Sequence, residues 1–154
     1  MKEKKTTEML EEILLNAKTG DIEVVFAENA DRFAASDRPF AAYMRARFKE
    51  KGIRQQDIFL KADISEGYGY KIISEEKRTR QRDTILRICL AAGFTLDETQ
   101  RALKLYGMPA LYARIPRDAV LIIAINTGIR DVTAVDELLE NHGCEVLTVC
   151  GPLN

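Results

Sequence analysis

Apolar residues recur along most of the chain at three- and four-residue intervals, and Pro or Gly punctuates most of the ends. That is the pattern of a series of amphipathic helices. Met9, Leu10, Ile13, Leu14 and Ala17 form a first stripe closed by Gly20. Ile22, Val25, Phe26 and Asn29 predict a second, short helix after Asp21. Pro39 sits as a first-turn proline, and Phe40, Tyr43, Met44, Arg47 and Phe48 run along one face as far as Gly52. A short helix from Gln55 to Ala62 follows, then a turn at Asp63-Ile64 and another helix from Ser65. Thr79 is placed to cap a longer helix carrying Ile85, Ile88, Cys89 and Ala92, ended by Gly93. Thr95 and Glu98 have capping-box spacing, in which each side chain satisfies a backbone N–H of the other residue, and the helix they open ends at Gly107. Pro116 opens the next, with Val120, Leu121, Ile123 and Ala124 predicted inside and Gly128 as the stop. Thr133 begins the last, burying Val135, Leu138 and Leu139 before Gly143. Glu145 to Cys150 reads as a short extended tail. The expected fold class is all-α.

The pattern repeats. The segment from Arg82-Asp83 to Gly93 lines up with the segment from Arg117-Asp118 to Gly128 at an offset of 35 positions. With one residue inserted, Leu96, Ala102, Leu103 and Gly107 then match Val132, Leu138, Leu139 and Gly143. Each unit is a helix, a Gly turn and a second helix. Two units are too few for a solenoid, so they are expected to pack on the preceding helices. The Arg-Asp pair opening each unit reads as structural, with the Asp favouring the positive end of its helix.

Composition narrows the class. The chain has 154 residues, enough to bury about 70% of its unfolded surface as one compact domain or a small domain with an added layer. Hydrophobic content of 46% and charged content of 31% fit a globular protein, not a disordered one. No apolar run is long enough to span a bilayer and the start lacks a signal-peptide core, so no membrane association and a cytoplasmic location are expected. Cys89, Cys144 and Cys150 are too few and too widely spaced for a disulfide framework or a zinc site. Net charge is −1, which argues against nucleic acid until it is resolved along the chain. Residues 1–39 hold 6 basic and 9 acidic groups, residues 40–82 hold 11 and 6, and residues 83–154 hold 6 and 9. The positive charge therefore lies in one block, and potentials act locally within about 8 Å at physiological salt.

That block contains residues 52–73. Two short helices, a tight turn and apolar residues at the crossing (Ile58, Ala62, Ile64, Ile72) have the spacing of a helix-turn-helix, with Ser65 capping the second helix. From about Phe40 to Gly107 the chain resembles the phage-repressor/Cro-type (XRE) family, whose members have a five-helix lambda-repressor-like DNA-binding domain. With the second hairpin through Leu139 it also resembles the longer helix-turn-helix proteins of Firmicutes-type bacteria. In those, a Tyr-Gly-Tyr recognition helix precedes an Arg-Asp helix and a further helical hairpin, and they are mostly known as transcriptional regulators. The resemblance implies an all-α organisation of an N-terminal helical extension (1–38), a helix-turn-helix domain (39–107) and a C-terminal hairpin and tail packed on it (108–154). It also implies sequence-specific binding of double-stranded DNA. Gln55 and Gln56 would meet phosphate at the start of the first motif helix. Ser65, Glu66, Gly67, Tyr68, Tyr70 and Lys71 would lie on the recognition helix near bases or phosphates. Arg78, Arg80 and Arg82 would supply backbone contacts around the next helix start. Such cations position a protein and make its binding salt-dependent without reading sequence.

The chain departs from the family's usual pattern at three positions. Asp63 and Glu75 stand where glycine is usual, and Gly69 stands where an apolar core residue is usual. Gly67 and Gly69 together put two glycines in one short helix, each costing about 1 kcal/mol against Ala. Close packing of Gly69 is the expectation. At least one of Tyr68 and Tyr70 is expected to replace the missing apolar contact, and a groove-facing hydroxyl is the other role open to them. The competing reading is a protein-interaction adaptor that keeps the helix-turn-helix but not base reading, with a protein partner on the flanking helices. Homodimerisation is compatible with both. No cofactor, metal site or catalytic residue is expected. The single histidine, His142, reads as a helix-end or surface residue, and no Ser, Cys or Lys has an evident activating partner.

Overall fold

The computed structural model describes residues 2–29 and 38–149, with side chains from residue 7 onward. Its described residues form nine α-helices and one 3-10 turn, with no strand. No helix among them is long and apolar enough to cross a membrane. The chain divides into two compact units, residues 1–37 and 38–154.

In the first unit, α1 (Lys2–Asn16) is followed by a 3-10 turn at Thr19–Asp21 and by α2 (Ile22–Glu28). α1 stops at Asn16, before the glycine that was its expected stop, and Ala17 falls outside it. The Lys18 N–H donates to Asp21 Oδ2 at 3.0 Å, which fixes the turn into α2. Val25 is buried, and Asn29 closes the helix by donating both its backbone N–H and its side-chain amide to Val25 O.

The second unit is built around α6 (Arg82–Ala91), in which every residue from Asp83 to Ala91 is buried. Against it pack α4 (Gln55–Ala62), α7 (Leu96–Tyr106) and α9 (Val132–Asn141). α3 (Pro39–Lys51) covers α7 and α5 (Glu66–Ile73), and α8 (Pro116–Thr127) packs on α9 and α7. One apolar core runs through all of them, from Phe40 to Leu147. The predicted capping box is formed: Thr95 Oγ1 accepts from the Glu98 N–H, and Glu98 accepts from the Thr95 N–H.

Three sequence expectations are corrected here. Thr79 does not cap α6. Its N–H donates to the Tyr106 hydroxyl and its Oγ1 accepts from the Gln81 N–H, which holds residues 79–81 outside the helix that starts at Arg82. Thr133 is inside α9, whose N-cap is Asp131, with the Asp carboxylate accepting from the Thr133 N–H. Ile123 is not buried but 64% exposed. Every residue from Ala119 to Ile125 is apolar, so the periodicity had no phase. The inward arc is set instead by Asp118, Leu121, Ala124 and Ile125.

The repeat extends further than its helices. Arg82 is hydrogen-bonded through both terminal nitrogens to Asp118 (3.1 and 2.5 Å), and Arg117 likewise to Asp83 (3.1 and 2.9 Å). The two repeats therefore exchange their Arg-Asp pairs. Each exchange also clamps the segment after a hairpin. Arg82 reaches Pro109 O and Ala110 O while Asp118 accepts from the Tyr112 N–H. Arg117 reaches Glu145 O and Val146 O while Asp83 accepts from the Thr148 N–H. Gln100 receives the Leu111 N–H as Asp136 receives the Leu147 N–H, and both leucines are buried. The tail through Val149 is thus the third part of the second repeat. Cys150 lies outside the described residues. Arg87, buried in α6, joins this tail to α4 by donating to Leu147 O, Thr148 O and Ala62 O.

Burial drives the Asp83 carboxyl pKa up, but the hydrogen bonds from Arg117 and Thr148 more than offset it and hold it below the ordinary carboxylate range. A depressed folded pKa stabilises the fold above the unfolded value and loses that stabilisation as pH falls through the folded one. Asp83→Asn should therefore cost about 3 kcal/mol at neutral pH, the scale for breaking one partner of a buried pair. In urea denaturation, the difference from the parent chain should shrink as pH falls below about 4. A difference independent of pH would show that the charge of Asp83 does not matter.

Candidate nucleic-acid interface

α4 and α5 are joined by Asp63, Ile64 and Ser65. Asp63 takes a left-handed backbone (φ 56°), the conformation for which a glycine was the expected residue, and its N–H returns to Leu60 O and Phe59 O to close α4. Ile64 is buried beneath the turn, and Ser65 holds the N-cap position of α5, but its side chain makes no capping hydrogen bond, contrary to the expectation that it caps the helix. Glu75, the second non-glycine residue at positive φ (62°), closes the segment after α5. Its carboxylate accepts from the Ala41 N–H and from Arg78 Nη1, while Arg38 donates to Ser74 O. The C-terminal end of α5 is thereby tied to the start of α3.

The seat of α5 on α4 depends on Gly69. A Cβ at that position would lie 2.5–2.7 Å from three ring carbons of Phe59, which is itself buried, so only a residue without a side chain admits this approach. The Tyr70 ring meets the Phe59 ring edge-on at 5.1 Å, supplying part of the apolar contact that Gly69 lacks. Gly67 has open space around it. Ile72 and Ile73 complete the buried side of α5, and the outer side consists of Glu66, Gly67, Tyr70 and Lys71. These four share one helix face, because positions one, four and five apart fall within a single arc.

Beyond α5 the chain folds back. The Lys77 N–H donates to Lys71 O at 3.1 Å, and the Lys77 ammonium lies 5.7 Å from the centre of the half-buried Tyr68 ring. Tyr68, Lys77, Arg78, Thr79, Arg80 and Gln81 line an open cleft of about 270 Å³. Arg78 is exposed but held in place, stacked 4.1 Å above the Tyr106 ring and bonded to Tyr106 O and Glu75. Arg80 is exposed and has no partner among the described residues. The cleft thus presents an amide donor and two cations outside any ion pair, Lys77 and Arg80, while the charge of Arg78 is spent on Glu75. It can accept an anion.

The expected site residues divide into groups. Glu66, Gly67, Tyr70 and Lys71 form the outer face of α5, with Ser65 exposed at its start. Tyr68, Arg78 and Arg80 line the cleft. Gln55, half-buried, and Gln56, exposed, lie at the start of α4. Arg82 joins none of these, since its guanidinium is committed to Asp118. The sequence reading missed Lys77 and Gln81, which become cleft residues only through the return of the chain. It also missed Arg54, whose guanidinium bonds Asp57 at 3.1 Å. The Asp57 hydrogen bond and charge push the Arg54 pKa up. A basic run with two spaced arginines was the only available signal for Lys77. No cluster of three or more His, Cys, Asp or Glu side chains able to hold a metal occurs among the described residues.

The two glycines of α5 should respond oppositely to Ala. Gly67→Ala should raise stability by about 0.5–1 kcal/mol through helix propensity alone. Gly69→Ala gains the same propensity but should lose about 1–3 kcal/mol net by pushing on Phe59. Urea midpoints of the two variants check this, and equal responses would mean that Gly69 is not a packing position. No protein-family model, curated protein or solved structure matches the chain.

Proposed function

We propose that this protein is a sequence-specific double-stranded DNA-binding transcriptional regulator with a lambda-repressor-like helix-turn-helix, in which α4 and α5 form the motif and α5 is the recognition helix. The observation that carries the reading is the adjacency of the outer face of α5 to a cleft lined by Lys77, Arg78 and Arg80. A major groove about 12 Å wide admits one helix, and its flanking phosphates then face the residues beside that helix. Small residues at 65 and 67 let the start of α5 approach base edges. Lys71 can donate to guanine O6 or N7, Glu66 can accept from cytosine N4, and the Tyr70 hydroxyl can serve either as donor or as acceptor. Lys77 and Arg80 neutralise phosphates and set the register. Arg78 contributes a fixed charge, and Arg82 is left out of the contact set because Asp118 occupies it. The acidic flanks of the chain disfavour other approaches to the duplex.

Fluorescence anisotropy with duplex DNA over a salt series tests this reading. Each phosphate contact contributes about −0.9 to the slope of log affinity against log salt. Arg80→Ala should weaken all duplexes alike and make the slope less steep by about 1, whereas Lys71→Ala should lose discrimination among duplexes selected from a random pool. Absence of binding at low salt, or affinity independent of salt, would refute the proposal.

A further inference from the structure

The cleft beside α5 is larger and more cationic than one DNA phosphate requires. None of the described residues lining it is acidic. Arg78 is committed to Glu75 and to Tyr106 O, which leaves Lys77 and Arg80 as two cations outside any ion pair. The Thr79 hydroxyl accepts from the Gln81 N–H and keeps its own proton to donate, and the Gln81 side-chain amide lines the same space. The half-buried Tyr68 ring forms an aromatic wall, with the Lys77 ammonium 5.7 Å from its centre. The volume is about 270 Å³, near the lower end of small-molecule sites at roughly 300 Å³. A duplex phosphate is a single charge on the outside of a wide cylinder and would leave most of that space empty.

We infer that this cleft is a regulatory site for a small phosphate monoester of the sugar-phosphate type, whose binding competes with duplex DNA. Charge selects the monoester. A terminal phosphate carries about −1.5 to −2 charges at neutral pH and three acceptor oxygens, whereas a phosphodiester of DNA carries one charge. Lys77 and Arg80 together match the monoester, and the Gln81 amide serves its third oxygen. Volume and wall chemistry select the body. With the phosphate held by Lys77, the carbon skeleton lies against Tyr68, with room for about five or six carbons. Thr79 and Gln81 offer hydrogen bonds to hydroxyl groups, and an alkyl body would leave those polar groups covered without partners.

The competition follows from the shared cations. Under the DNA-binding reading, on which this regulation rests, Lys77 and Arg80 neutralise duplex phosphates. A bound sugar phosphate takes both and cancels their charge. The site is also tied to the recognition helix, since the Lys77 N–H donates to Lys71 O. Occupation should therefore lower duplex affinity and make the slope of log affinity against log salt less steep by about 2, one unit for each cation withdrawn. Binding of the sugar phosphate itself needs no DNA and is measured without it.

Isothermal titration calorimetry of the full chain without DNA, with ribose 5-phosphate as the probe up to about 10 mM, tests the site. The expected result is saturable binding at least about tenfold tighter than that of inorganic phosphate, with none of ribose. Lys77→Ala and Arg80→Ala should each weaken it at least about tenfold, the scale for a lost charged hydrogen bond. Arg80 is exposed and has no partner among the described residues, so its variant should keep the parent melting curve. Lys61→Ala removes an exposed lysine of α4 outside the cleft and should leave binding unchanged. Inorganic phosphate held as tightly as ribose 5-phosphate, absence of saturation, or indifference to both cleft variants would overturn the inference. So would a phosphoserine peptide held at least about tenfold tighter than the sugar phosphate, which would make the cleft a docking point for a modified protein. With duplex present, saturating ribose 5-phosphate should flatten the salt slope, and an unchanged duplex affinity would overturn the competition. A chain that binds ribose 5-phosphate but no duplex would refute the DNA reading and leave the ligand site standing.

Discussion

Residues 38–149 depend on the exchange of two ion pairs between repeats that are 35 positions apart. Arg82 holds Asp118, Arg117 holds Asp83, and both carboxylates lie in the interior, where a charge without a partner costs several kcal/mol. Neither hairpin can therefore be completed alone: each carries a charge that only the other neutralises. The spare lone pairs and N–H groups of the same four side chains hold the segments after α7 and after α9, which have no regular backbone bonding of their own. The central helix α6 opens with one Arg-Asp pair, and one turn later its buried Arg87 carries the network to the tail and to the last residue of α4. A chain of direct bonds thus runs from the C-terminal tail to the turn that precedes α5.

Around the candidate interface, close approach and left-handed turns replace the residues usual for such a motif. Gly69 lets α5 settle onto Phe59, and Tyr70 covers part of what the missing side chain would have filled. Asp63 and Glu75 adopt backbone conformations that most residues avoid, and at Glu75 the surrounding bonds to Ala41 and Arg78 over-determine the position. α5 therefore keeps a rigid seat despite two glycines, and on its outer face Glu66, Gly67 and Lys71 are exposed beside Tyr70, which also packs on Phe59. The cleft beside it arises because the chain returns over Tyr68 after α5, placing Lys77 next to the helix that holds Lys71.

How much of this was legible depended on whether a residue answered to its neighbours or to distant parts of the chain. The Gln55–Ala62 helix, the Thr95–Glu98 box and the proline starts at Pro39 and Pro116 are local, and they formed as their spacing implied. Thr79 misled because a good capping residue was recruited by Tyr106, 27 positions away. Ile123 misled because an all-apolar helix has no phase until something else orients it. Arg82 resembled a phosphate ligand because its partner lies in the other repeat.

The sequence by itself determined the all-helical class, most helix boundaries, the repeat and the concentration of positive charge in one block. Those follow from dihedral preference, capping and the period of apolar side chains, all of which act over a few residues. Only the tertiary structure decided which arginines stay free to meet a ligand, which glycine is a contact, and which side of α8 faces outward. Those outcomes require the pairing of groups far apart in sequence, and a buried charge or a close-packed ring selects its partner only once the helices carrying both are brought together.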